Sequence, residues 1–255
     1  EHTYMEHVKP VRQKWFGVAC CPPNVGRTLA SLGQYIYAED EYGVYINQFI
    51  SSTADTEVRE SRLKIKMNST LLQDGKVQIE VQSSGPGNLN IRIPWYSEKC
   101  ECGQNGISIE IQPEKGYQRL SISPGDTYIS LDFHVSPRWM GANNGVRADA
   151  GKAALMKGPL VYCLEEKENG RYLSEIFIEE NTSIEETAPA EELVGNVPTL
   201  SYKGIRVRNK GAAGENQLYG NVELEKEEVS LQAVPYCMWN NRGEGEMLVW
   251  HKLRV

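Results

Sequence analysis

"RLKIKMNSTLLQDGKVQIEVQ" runs from Arg62 to Gln82. Leu63, Ile65 and Met67 alternate with lysines and Asn68, and Val77, Ile79 and Val81 alternate with Gln78 and Glu80. A period of two places all six apolar side chains on one face of an extended ribbon. Asp74-Gly75, between the two runs, is a hairpin signal, because glycine accepts the positive φ that tight turns require. The stretch therefore reads as two antiparallel strands with one buried and one wet face.

The same alternation extends in both directions. Val44, Ile46 and Gln48 alternate with Tyr45, Asn47 and Phe49, and Leu89, Ile91 and Ile93 precede Pro94. Shorter runs follow at Ile107 to Ile111, Tyr117 to Ile122 and Tyr128 to Phe133, divided by Asn105-Gly106 and Pro124-Gly125-Asp126. Short strands with a turn roughly every 8–12 residues indicate an antiparallel sandwich. The pattern lapses at Ala142-Asn143-Asn144-Gly145, and a second group begins: Ala153 to Met156, Leu160 to Leu164, Leu173 to Ile178, Val229 to Val234 and Met247 to Trp250. Glu179 to Val197 is acidic and reads as a long loop, and Lys210 to Gly214 as a flexible stretch. Ahead of Gly43 the period is nearer 3.6. Asn24 is the expected N-cap of a helix through Val25, Leu29, Leu32 and Ile36, ended by Glu39-Asp40-Glu41. Glu1 to Gln13 could also be helical, interrupted at Pro10. The expected organisation is mainly β: a helical piece over 1–43, a first β-sandwich over 44–150 and a second over 151–255.

Of 255 residues, 40% are hydrophobic and 24% charged, the balance of a folded chain. A net charge of −7 argues against nucleic acid or an anionic membrane as partner. No apolar run approaches the roughly 20 residues that span a bilayer. The chain opens on Glu1 without a signal peptide, so it is expected to be a piece of a longer protein. Its six cysteines have no disulfide-framework spacing, which points to a reducing, cytoplasmic compartment.

The chemistry concentrates in "WFGVACCPPNVGRTLASLGQYIY", Trp15 to Tyr37. Thiolates are strong nucleophiles and strong zinc ligands. Pro22 is expected to push Cys21 out of the helical region, and the helix after Asn24 to turn its positive end toward both sulfurs. The competing reading makes Cys20 and Cys21 small hydrophobes on a buried turn. The local residues leave both open. His2 and His7 read as surface residues, Cys100-Glu101-Cys102 as a loop, and Cys163 and Cys237 as core. Trp95, Trp139, Trp239 and Trp250 fit packing better than a sugar platform, and Arg242 could pair with Glu244 or Glu246.

That cysteine stretch, with "LNIRIPW" (Leu89 to Trp95), "GKAALMKGPLVYCLEE" (Gly151 to Glu166) and "VPYCMWNNRGEGEMLVW" (Val234 to Trp250), resembles the β-L-arabinofuranosidase family of glycoside hydrolases, family 127. The resemblance implies an (α/α)6 barrel carrying the active site, followed by β-sandwich domains, with this chain holding the barrel's last helices and the sandwiches. It implies that Cys20 is the nucleophile and a Zn2+ ligand and that Cys21 is a second ligand. A glutamate and a third cysteine that complete the metal site, and the acid/base glutamate, would lie upstream. The reaction implied is retaining hydrolysis, with the fragment alone inactive. The partner implied is an arabinose-containing oligosaccharide or glycan, with no nucleic acid and no membrane; a homodimer through the β domains stays open. The alternative is a non-catalytic β-sandwich module that binds glycan or supports assembly, its cysteines buried and structural.

Overall fold

The computed structural model describes residue 12 and residues 20–189, 194–212 and 218–254. The expected helix over Glu1 to Gln13, and His2 and His7 with it, lie outside the described residues. Clustering of contacts divides the chain into two compact units, one over Phe16–Ser136 and one comprising Glu1–Trp15 and Pro137–Val255.

The first unit opens with α1 (Cys21–Ala30) and α2 (Gly33–Ile36), followed by β1 (Tyr37–Asp40), β2 (Gly43–Ile46), β3 (Ser52–Val58), β4 (Ser61–Thr70), β5 (Lys76–Ser83) and β6 (Gly87–Arg92). It continues with β7 (Glu101–Gln104), β8 (Ile107–Ile109), β9 (Tyr117–Ile122) and β10 (Gly125–Asp132). They form a four-stranded sheet, β1-β2-β6-β9, and a six-stranded sheet, β3-β4-β5-β10-β7-β8. Val44, Ile46, Leu89, Ile91 and Leu120 from one sheet pack in a single cluster with Leu63, Ile65, Met67, Val77, Ile79, Val81, Ile129 and Leu131 from the other. The six apolar residues of the 62–82 stretch are each no more than 2% exposed. Each such burial contributes about 2 kcal/mol. One pairing departs from the antiparallel expectation: β2 and β6 run parallel.

The Asp74-Gly75 turn is larger than a two-residue hairpin. Leu71–Asp74 forms one helical turn that closes on Gly75 in the left-handed region, φ 83°. Asp74 Oδ1 accepts from Thr70 Oγ1 at 2.6 Å and from the Lys76 backbone N–H at 3.2 Å, fixing the reversal. The single helix expected to reach Glu39 is also different. α1 stops at Ala30, α2 is one turn, and Glu39-Asp40-Glu41 belong to the β1–β2 hairpin, where Asp40 Oδ1 accepts the Tyr42 N–H at 2.7 Å.

The second unit contains β11 (Pro137–Gly141), β12 (Lys152–Lys157), β13 (Leu160–Glu165), β14 (Ile176–Glu179), β15 (Ile184–Thr187), β16 (Thr199–Asn209), β17 (Leu224–Pro235), β18 (Met247–Leu248) and β19 (Trp250–Arg254). Because β11 pairs with β12 from Pro137↔Lys157 to Gly141↔Ala153, the lapse at residues 142–145 is a connection inside this unit. The change of unit falls at Ser136 and not near residue 150. These strands make one sheet, in which β12 also pairs β13, so the hydrogen-bonded run β12-β19-β14-β16-β17-β13 closes on itself. β14 and β19 are its parallel pair.

In this unit β11, β15 and β16 appear where the sequence pattern showed no strand. β15 lies in the stretch read as an acidic loop, paired to β16. β16 was hidden because its inward positions carry glycine and arginine. A Cβ at Gly204 would meet Leu231 Cδ1 at 2.5 Å and the Phe177 carbonyl oxygen at 3.2 Å, so a larger residue there would have to displace the Leu231 side chain. Arg206 is buried and donates to the carbonyls of Arg171 and Asn169, each at 2.7 Å, and to Glu175 at 3.2 Å. Arg242 reaches carboxylates far from the neighbouring Glu244 and Glu246. Its guanidinium donates to Glu168 at 2.7 and 2.9 Å and to Glu165 at 2.9 Å, while Glu246 accepts the backbone N–H groups of Tyr172 and Leu173.

The second unit also buries a histidine. His251 Nε2 accepts from the Tyr202 hydroxyl at 2.6 Å and its Nδ1–H donates to the Val249 carbonyl at 3.0 Å. The Trp139 ring packs edge-on against both rings, at 5.0 Å from Tyr202 and 5.2 Å from His251. Burial pushes the imidazole pKa down to about 4 from the usual 6.5.

Two outcomes follow for stability. Between pH 6.5 and about 4 the unfolded chain binds a proton at His251 that the folded chain refuses. Stability is therefore complete above pH 6.5 and falls by about 3 kcal/mol as the pH drops to about 4. Urea titrations of the second unit's unfolding across that range measure the loss, and His251→Gln should flatten it; an equally steep slope in that variant rules this origin out. Arg242→Met leaves two carboxylates inside without their cation and should destabilise by about 3 kcal/mol. Adding Glu165→Gln to it should recover part of the loss; a loss of under about 0.5 kcal/mol for the single variant would contradict this account.

Candidate active site at the start of the first helix

The helix that presents the two thiols starts earlier than its residues suggested. α1 begins at Cys21, with Cys20 as its N-cap residue in right-handed helical conformation, φ −70° and ψ −38°. Pro22 does not expel Cys21 from the helix. Prolines 22 and 23 occupy the first turn, where a missing N–H costs nothing because no carbonyl is available to accept it. Asn24 is not the cap. Its Nδ2 donates back to the Cys20 carbonyl at 2.8 Å, and its Oδ1 accepts from Arg27 Nη2 at 2.8 Å. Asn24 thereby braces the turn that carries the sulfurs, and Thr28 Oγ1 donates to the Asn24 carbonyl at 2.9 Å one turn on.

Both thiols are exposed in this chain, where the competing reading expects a buried pair. Their sulfurs lie 3.7 Å apart. No acidic residue occupies the first turn of α1, so nothing there competes with a thiolate for the positive end of the helix. The neighbouring sulfur acts the other way on Cys21. Its thiol is raised above the ordinary value because Cys20 shares a hydrogen bond with it and would repel a second negative charge. Unaided, Cys21 therefore keeps its proton more tightly than an isolated thiol.

The donor set can be tested against a metal. Two thiolates on one tetrahedral zinc, each at about 2.3 Å, stand about 3.8 Å apart. The observed 3.7 Å matches that edge. Among the described residues no cluster of three or more His, Cys, Asp or Glu side chains is placed to hold a metal. Cys20 and Cys21 fit as two donors of a tetrahedral site. α1 buries none of its residues, and Val25 and Leu29, four and eight positions after Cys21, are 60% and 66% exposed. The thiol and an uncovered apolar edge share one face of the helix.

The remaining candidates do not join this site. Cys102 is buried on β7 and Cys100 half-buried beside it, and burial pushes their thiols up to about 11 and about 12. Glu101 and Cys102 thus belong to a strand, Cys100 precedes it, and both thiols are held protonated. Cys163 is core, pushed up to about 12. Cys237, expected in the core, is exposed on the helical turn Tyr236–Met238 that ends β17. Trp139 packs as described, Trp239 stacks on Tyr236 at 5.9 Å, and Trp95 is 68% exposed. The brace Asn24–Arg27 was missed, although a three-residue Asn–Arg spacing on a helix was the available signal.

Two family models match this chain. Residues 43–133 match the middle domain of family 127, described as beta-L-arabinofuranosidase, and residues 137–252 match the glycoside hydrolase family 127 C-terminal domain. A non-reducing end beta-L-arabinofuranosidase of Bifidobacterium longum subsp. longum is 33% identical over 96% of this chain and 39% of its own length. The crystal structure of a GH127 beta-L-arabinofuranosidase from Geobacillus stearothermophilus T6 superposes with a TM-score of 0.87 at 36% identity, covering 97% of this chain and 39% of that one. Another GH127 beta-arabinofuranosidase of known structure gives a TM-score of 0.84 at 25% identity, over 96% of this chain and 40% of its own. The chain thus spans about two fifths of the length of these relatives. With both β units matched in order, the chain belongs to glycoside hydrolase family 127, of which it carries the middle and C-terminal domains.

Proposed function

We propose that this chain is part of a retaining glycoside hydrolase acting on β-L-arabinofuranosides of oligosaccharides or glycans, with Cys20 as the nucleophile. The observation that carries the proposal is the pair of exposed sulfurs 3.7 Å apart at the start of α1. The names of the relatives support the sugar, and the spacing supports a thiolate pair on one cation.

Cys20 and Cys21 would hold zinc together with donors outside the described residues. When bound, that zinc supplies the charge that keeps both sulfurs ionised and eases departure of the Cys20 sulfur. The chain's own part is then as follows. The Cys20 thiolate attacks the anomeric carbon, forming a C–S bond as the glycosidic C–O bond breaks. The leaving oxygen takes a proton from a carboxylic acid, the upstream glutamate that the family resemblance implies. Water then attacks the same carbon, the C–S bond breaks, its electron pair returns to sulfur, and the carboxylate accepts the water's proton. Two displacements on opposite faces retain the anomeric configuration. The Asn24 brace holds the Cys20 carbonyl, and with it the turn, while the bond to sulfur forms and breaks. Val25 and Leu29 would be covered by polypeptide beyond this chain, which would dry the face that Cys21 shares. Among the described residues no helix is long and apolar enough to cross a membrane.

In the full-length protein, Cys20→Ser should lower kcat on an aryl β-L-arabinofuranoside by about a thousandfold or more. Cys21→Ser should lower the bound zinc measured by elemental analysis, and activity with it. A Cys20→Ser enzyme that keeps its rate would remove the nucleophile, and a full-length enzyme that is active but metal-free would remove the zinc. An inverted product, seen by NMR immediately after hydrolysis, would remove the double displacement.

A further inference from the structure

The six-stranded sheet of the first unit has a second face that the core does not use. Across β3, β4, β5 and β10 that face forms an open trough of about 700 Å³. Two rows of paired residues cross it. Thr53, Lys66, Glu80 and Tyr128 make one row, and Asp55, Lys64, Gln82 and Asp126 the next. Four strands spaced about 4.8 Å apart make each row about 14 Å long, more than one sugar ring needs.

The chemistry of the trough narrows what it can hold. Its charges are of both signs, Lys64 and Lys66 beside Asp55, Glu80 and Asp126: Lys66 Nζ is 3.3 Å from Glu80, and Gln82 Nε2 donates to Asp126 at 3.4 Å. Asp55 is paired with Arg62 at 2.7 Å. A face of mixed sign builds no field for a polyanion or a polycation. With one aromatic among charged and amide side chains, it offers little to a lipid or an apolar peptide. A neutral ligand rich in hydroxyls, with a flat C–H face, suits both features.

Tyr128 is placed for that face. Its side chain is on the outer side of β10 and the residue is 60% exposed, while Thr127 and Ile129 on either side are buried. Its backbone is fixed by a reciprocal pair with Asn105: the Tyr128 N–H donates to Asn105 Oδ1 and the Asn105 N–H to the Tyr128 carbonyl, both at 2.8 Å. The ring is thus an exposed aromatic platform on a rigid strand, which lowers the ordering cost of stacking. Glu80, its cross-strand neighbour, and Lys66 and Gln82 surround it with donors and acceptors that can take the hydroxyls of one ring in pairs.

We propose that this trough binds a neutral oligosaccharide, with a sugar ring stacked on Tyr128 and its hydroxyls bonded to Lys66, Glu80 and Gln82. This goes beyond the proposed hydrolysis and rests on it only in the choice of the first probe.

The test is affinity electrophoresis of the full-length protein in gels containing soluble arabinan, arabinogalactan or xylan, beside kinetics on a small aryl β-L-arabinofuranoside. At least one polysaccharide should retard the protein. Tyr128→Ala should weaken that retardation about fivefold or more, whereas Tyr128→Phe, which keeps the ring, should not. Both variants should keep the kcat/KM of the parent on the small substrate, which shows that they are folded. Retardation unchanged in Tyr128→Ala, or no retardation by any of the three polysaccharides, overturns the proposal. Loss of the arabinofuranosidase reading through the Cys20 variants would leave the gel result interpretable, since retardation does not depend on turnover.

Discussion

A strand with one face in a core has no freedom of register, because a slip of one residue turns every side chain over. This constraint organises the first unit. With Leu63, Ile65 and Met67 committed to the core, Lys64 and Lys66 are committed to the outside, and the pairing of β4 with β5 carries the same commitment to Glu80 and Gln82. β10 inherits it again: Ile129 faces Ile79 across the ladder, so Tyr128 stands opposite Glu80 on the outer face. The aromatic residue is exposed because its neighbours are buried, and its place in the trough follows from the hydrophobic pattern two strands away.

The same reasoning explains which parts of the fold were legible. The first unit could be read because its inward positions are nearly all Leu, Ile, Val and Met, so the period of two is clean. In the second unit the inward set includes Gly204 and Arg206 on β16, and there the pattern fails as a signal. A glycine that makes room for Leu231 and an arginine bonded to distant carbonyls both look like surface residues until the partners are known. Arg242 shows the same limit. Its carboxylate partners are 74 and 77 residues away, whereas a reading by neighbourhood finds only Glu244 and Glu246. Cys237 was misread for a local reason: the alternation of β17 ends at Pro235 and a tight helical turn faces the next residues outward. At the candidate site the two cysteines were legible as residue types, but their separation was not.

That separation depends on a point where two rules of proline conflict. The restriction on a residue before proline predicts an extended Cys21. In an extended chain adjacent side chains point to opposite faces, and two such sulfurs could not share one ion. Proline is also well suited to the first turn of a helix, where its ring presets φ and its missing N–H is not needed. The second preference wins here, with Cys20 and Cys21 both helical and Asn24 tying the Cys20 carbonyl to the turn. Successive residues on a helix diverge by only about 100°, which lets the sulfurs come within 3.7 Å. The two prolines thus act as a helix start that keeps two neighbouring thiols on one side of the chain. Any cation-binding role for the pair requires this helical start, and a substitution that returned Cys21 to an extended conformation would separate the donors without removing either sulfur.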